Sequence, residues 1–203
     1  RGLGDVYKSQ EQDSQSAQPV PDWAEYWIGS VHNLHDSRTG SYYCVDWDAE
    51  HLKTCLGEMF GGDALAMARG YYADVAAMAE RKPTILGHLD LIVKLNRDGC
   101  FFNEEDPAYR AAALEALHAA DPDATLLEIN TGAMSRGYRD TPYPALFLLR
   151  EWRAMGGRII LTADAHRASA VVWAYDQAAE LARTAGFREH TLLTCRGPVP
   201  DLL

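Results

Sequence analysis

Imidazole and carboxylate side chains gather at four places along the chain, each just past a short apolar run. His32 follows YWIGSV. His88 follows TILG, with Asp90 two residues on. Glu128 and Asn130 close TLLEIN, and Arg136 lies in the loop after it. Asp164 and His166 follow RIILTA. Imidazole and carboxylate are the usual ligands for zinc, manganese or iron. Asp-x-His puts two donors on one face of an extended segment, because side chains two apart point the same way. A cation held there would draw a proton from bound water near neutral pH. Each residue alone has a plainer reading. A lone histidine after a strand is commonly a hydrogen-bonded turn or core residue. Asp164 alone would cap a following helix, and Arg136 alone suits a surface ion pair on an acidic chain. Their joint appearance at three strand ends favours the metal reading. His35, His51, His118 and His190 lack such placement and read as surface or helix-face residues.

The elements that must carry these groups are legible. Tyr26–Val31 suits a buried strand. Asp48 caps a helix to about Phe60, stopped by Gly61-Gly62, and Asp63 caps a second one to about Arg81. Thr84–Leu86 begins a strand. Asp106-Pro107 opens a helix with Pro where its missing N–H is harmless. Thr125–Asn130 reads as strand, Tyr143–Met155 as helix, Arg158–Thr162 as strand, Ala170–Ala185 as helix and Thr191–Cys195 as a last strand. Strand and helix alternate, so the fold class is α/β with a parallel sheet or barrel. In such folds active residues collect past the carboxyl ends of strands. Residues 8–21 are polar and Ser/Gln-rich and end in Pro-x-Pro, so residues 1–24 read as an N-terminal segment or linker ahead of one domain over 25–203.

Composition sets outer limits. The 203 residues suit one domain, and an apolar fraction of 47% is ordinary for a globular protein. No stretch approaches the roughly 18 uninterrupted apolar residues of a membrane span. No basic, apolar and small-residue succession marks a signal peptide, so a cytoplasmic location is expected, with no membrane partner. The four cysteines (Cys44, Cys55, Cys100, Cys195) form no Cys-x-x-Cys pair and read as scattered reduced thiols. A net charge of −10 repels phosphate backbones, which disfavours a general nucleic-acid binder but leaves room for one small phosphate ester in a local pocket. Walker, nucleophile-elbow, His-Glu-x-x-His and dinucleotide-binding signatures are all absent.

Taken together, IGSVH (Ile28–His32), GHLDL (Gly87–Leu91), EINTG (Glu128–Gly132), Tyr143-Pro144, DAH (Asp164–His166) and Gly186-Phe187 stand in the order found in histidinol-phosphate phosphatases. From about Tyr26 onward the chain resembles that branch of the polymerase-and-histidinol-phosphatase (PHP) family. The resemblance implies a distorted seven-stranded (β/α) barrel, here lacking its opening strands, with up to three divalent metals (Zn, Mn or Fe) at its mouth. It implies His32, His88, Asp164 and His166 as metal ligands, the last two also catalytic, and Arg136 as the group that holds the substrate phosphate. The implied reaction is hydrolysis of L-histidinol phosphate in histidine synthesis. Asp90 and Glu128 suit carboxylates that orient ligand imidazoles; Glu128 equally suits a contact to the substrate amine or an end-of-strand hydrogen bond.

The family opens with a His-x-His strand, then a further His and a Glu, all metal ligands. No histidine precedes His32, and Asp5 and Glu11 lack a matching context for the Glu. The chain also begins at Arg1 rather than Met. A part of a longer enzyme is therefore expected, with fewer metals than the complete site. Barrel strands missing their neighbours would expose edges, which dimerisation would cover. Two alternatives remain: a truncated, non-catalytic PHP module that binds or scaffolds, and a PHP phosphoesterase with another small substrate.

Overall fold

The structure is a computed structural model that describes residues 9–14, 19–20, 22–195 and 197–203. Five parallel strands form one sheet in the order β1 (Ser9–Asp13), β2 (Tyr26–Ser30), β5 (Ile85–Leu86), β6 (Leu126–Asn130), β7 (Arg158–Thr162). Each strand pairs with its successor in the sheet: Ser9 with Tyr26, Ile28 with Ile85, Ile85 with Leu126, Leu126 with Arg158. Sequential parallel pairing is what strand–helix alternation dictates. Every strand therefore points its carboxyl end the same way, and the loops bearing His32, His88, Arg136 and Asp164 all leave from that end.

The first three helices match their sequence signals closely. α1 (Ala49–Phe60) and α2 (Ala64–Glu80) carry Asp48 and Asp63 as side-chain caps, and Gly61 ends α1 with φ +60°. α3 (Pro107–His118) is capped by Asp106. A short α4 (Gly132–Ser135) follows β6, then α5 (Leu146–Ala154) and α6 (Tyr175–Ala185). The apolar faces of α2, α3 and α5 meet in one core around Tyr71, Tyr72, Tyr109 and Trp152, all within 2% of full burial. Each such side chain contributes roughly 1.5–3 kcal/mol or more of transfer free energy.

Four expectations are corrected. In place of the expected barrel lacking its opening strands, the described residues form an open five-stranded parallel sheet. Ser9–Asp13, expected within a linker, is an edge strand, because its backbone pairs along β2 from Tyr26 to Ser30; residues 1–8, 15–18 and 21 of that segment, with Asp5, lie outside the described residues. The helix expected from Tyr143 starts at Leu146, since Tyr143 spends its N–H and C=O on Asn130 (3.0 and 2.9 Å). The helix expected from Ala170 starts at Tyr175, after a 3-10 turn at Ala168–Ala170 and a left-handed Ala174 (φ +55°). The last expected strand is present as β8 (Glu189–Thr194), which turns back antiparallel on β9 (Gly197–Leu202). A second hairpin, β3 (Asn33–Asp36) with β4 (Ser41–Cys44), fills the stretch after His32 that carried no assignment. No helix among the described residues is long and apolar enough to cross a membrane.

Candidate active site

His32 and His88 stand past the carboxyl ends of neighbouring strands, β2 and β5. Their rings meet edge to face, with centroids 4.8 Å apart and planes at 76°. The close approach depends on Gly87. A Cβ there would lie 2.7 Å from Ser30 Oγ and 3.0 Å from Ile28 Cγ2, so any side chain would wedge the strand ends apart. His88 itself has φ +22°, a twist that turns the chain out of β5.

Glu128 anchors this twist. It is 4% exposed. One carboxylate oxygen accepts from the His88 backbone N–H (2.6 Å) and Asn130 Nδ2 (3.1 Å); the other accepts from Thr162 Oγ1 (2.7 Å). Glu128 thus ties β5, β6 and β7 together at the mouth. Of its three sequence readings, the end-of-strand hydrogen bond is the one the geometry supports, and the expected orienting bond to an imidazole gives way to backbone and side-chain amide and hydroxyl contacts. Asp90 is likewise set among backbone groups: Oδ2 accepts from Ala145 N–H (2.8 Å) at the start of α5. Its Oδ1 and the Tyr143 hydroxyl have no hydrogen-bond partner among the described residues. Burial pushes the Asp90 carboxyl up to about 6.

The second half of the site follows β7. Asp164 adopts φ +43°. Its Oδ2 accepts from Arg136 Nη2 (2.8 Å), its backbone carbonyl from Arg136 Nη1 (3.1 Å), and its Oδ1 lies 3.4 Å from His166 Nε2. Asp164, His166 and Arg136 are thus one cluster, as their strand-end spacing implies. The guanidinium forks onto Asp164, the ion pair of its plainer reading.

Sequence reasoning missed Asp46 and Lys94. Asp46 follows β4. Its Oδ1 lies 3.5 Å from His32 Nδ1 and accepts from Cys44 Sγ (3.2 Å); its Oδ2 accepts from Lys94 Nζ (2.8 Å), which also bonds the Asp46 carbonyl (2.9 Å). Burial alone would raise the Asp46 pKa, but His32 and Lys94 outweigh it and hold the carboxyl below the usual range. The signal existed: Ser37-Arg38-Thr39-Gly40 between two short alternating runs marks a hairpin, and a hairpin there brings the residue after it back to His32. Among the histidines set aside, His51 Nε2 accepts from Cys44 N–H, His118 pairs with Glu151 and His35 stacks on Tyr42. His190 departs from expectation: its side chain is only 12% exposed, beside Asp201 in the β8–β9 hairpin.

The donors suit a divalent cation in chemical type, two imidazoles in one pair and a carboxylate with an imidazole in the other. They come together as pairs: the described residues hold no group of three or more His, Cys, Asp or Glu arranged to take a metal. Glu11 lies in β1 at a position whose side chain is outside the described set.

No protein-family model matches the chain. A curated Bacillus subtilis (strain 168) protein named histidinol-phosphatase is 26% identical over 160 residues, covering 76% of this chain and 58% of that protein. The solved structure of the candidate histidinol phosphatase hisK from Listeria monocytogenes superposes with a TM-score of 0.63 at 17% identity, over 75% of this chain and 57% of that one, which shows a shared fold. The chain thus spans little more than half the length of the relatives it matches. The sequence likeness and the shared fold agree: the chain is similar to histidinol phosphatases over about three quarters of its length.

Proposed function

We propose that this chain belongs to a metal-dependent phosphomonoesterase that hydrolyses L-histidinol phosphate to L-histidinol and phosphate. The observation that carries the reading is that His32 pairs with His88, and Asp164 with His166 and Arg136, on loops that leave the carboxyl end of one parallel sheet. His32, His88, Asp164 and His166 are the residues that would hold a divalent metal, which supplies charge neutralisation and an acidified water. Arg136 is the planar donor for two phosphate oxygens, a geometry Lys does not match. In the free chain Asp164 holds that guanidinium in place, and a bound phosphate would share or replace the contact. Glu128 holds the ends of β5, β6 and β7 together and so fixes the backbone that carries His88.

A second reading, a binding module without catalysis, draws support from one observation: the donors meet only in pairs among the described residues. Elemental analysis and phosphate release separate the two. The chain, supplied with Mn, Zn or Fe, is assayed against L-histidinol phosphate and a panel of small phosphate esters. Bound metal with preferential release from L-histidinol phosphate is expected. Preference for another ester points to a different small substrate, and neither metal nor release on any ester overturns the enzyme reading.

A further inference from the structure

We infer that Asp46 and Lys94 form a positioning device that sets which nitrogen of His32 carries the proton. The inference rests on His32 being a working imidazole of the proposed site. Lys94 stands in the loop that carries His88, and its side chain is 8% exposed. It reaches across to the loop that carries His32, donating to both the carbonyl and Oδ2 of Asp46 at 2.9 and 2.8 Å. The Tyr138 ring closes over the ammonium at 4.8 Å. These contacts leave Asp46 Oδ1 as the oxygen facing His32 Nδ1, at 3.5 Å. The register is local as well: Val45 N–H donates to the His32 carbonyl at 2.8 Å, so Asp46 is bound to stand beside the His32 ring.

A carboxylate beside Nδ1 favours the tautomer with hydrogen on that nitrogen. Nε2 then carries the ring lone pair, the one through which an imidazole accepts a proton or binds a cation. The same ion pair joins the two loops whose imidazoles sit 4.8 Å apart, so it also holds their spacing. A purely structural ion pair would join the loops equally well, but it would not select a tautomer.

Long-range 15N–1H spectra of the metal-free full chain at about pH 8, where an ordinary imidazole is neutral, separate these. The His32 signals are assigned by their loss in His32→Gln. The expected wild-type pattern is a protonated Nδ1 and an unprotonated Nε2. The double variant Asp46→Ala/Lys94→Met, which removes both charges and leaves neither buried alone, should lose that preference, and its zinc affinity should drop about 10–100-fold. A wild-type His32 with its proton on Nε2 overturns the inference, and that spectrum needs no variant to fold. An unchanged tautomer in the double variant overturns it too, even if the melting temperature falls. The expected tautomer with no phosphate release from any ester upholds the device and removes the phosphatase; release with the opposite tautomer does the reverse.

Discussion

Asp164 places a side chain in a backbone region that glycine occupies more comfortably. Its φ is +43°, and for an L-residue the left-handed region costs roughly 1–2 kcal/mol, least for Asp and Asn. Replacement by Gly releases that strain. Against it stand the extra freedom glycine has in the unfolded chain, about 0.5–1 kcal/mol, and the lost ion pair with Arg136. That pair is partly solvent-exposed, at 38% and 25% side-chain exposure, so its share is about 0–1 kcal/mol. The opposing contributions nearly cancel. Asp164→Gly should therefore change stability by no more than about 1 kcal/mol, or about 2–4 °C in Tm for a chain of this size. Asp164→Ala keeps the strain while losing the ion pair, and should be the less stable of the two. Phosphate release should meanwhile fall by about 10²–10⁴-fold in both, as befits loss of a group at the reacting centre. Thermal melts of the three chains, with the phosphate assay on each, check both halves. If Asp164→Gly lost several kcal/mol, or if Ala proved more stable than Gly, the strain argument would be wrong. Full activity in either variant would remove Asp164 from the chemistry.

Three further outcomes follow from the geometry. Arg136→Ala should lower kcat/KM on the best ester by roughly 10–100-fold, the worth of a hydrogen bond to a charged group, with Arg136→Lys recovering only part; an unchanged rate would remove the phosphate-clamp role. Gly157→Ala should destabilise the chain by about 1–3 kcal/mol or more in a urea titration, because the new Cβ overlaps the fully buried Trp152 indole; an unchanged midpoint would mean that the indole gives way. Asp74 has its carboxyl raised to about 6, by burial first and then by the nearby Asp13. A raised acid contributes stability that is fully present below its unfolded pKa and lost as pH rises through about 6. The stability difference, wild type minus Asp74→Asn, should thus decline between about pH 4 and pH 7, by on the order of 1 kcal/mol after discounting for partial exposure, and parallel pH curves would refute this.

Much of this architecture was legible in the chain itself. Caps at Asp48, Asp63 and Asp106, the stop at Gly61, and the runs at Tyr26, Leu126 and Arg158 are local signals: one residue's side chain or missing Cβ acts on backbone a few positions away. Strand–helix alternation then fixes a parallel sheet, and a parallel sheet sends every active-residue candidate to one end. That chain of reasoning placed His32, His88, Arg136, Asp164 and His166 at a common mouth.

What sequence could not decide depends on contacts between distant segments. Ser9–Asp13 has a polar composition that argues against a strand, yet it pairs because β2 offers it an open edge. Glu128 is one carboxylate among 29 acidic residues until folding brings His88 N–H, Asn130 and Thr162 to its two oxygens. Arg136 finds Asp164 across two loops, and Asp46 reaches His32 only because an unremarked hairpin folds back. Periodicity and capping are written in neighbouring residues. Which charge faces which depends on packing in three dimensions, and that is settled only when the whole sheet and its loops close together.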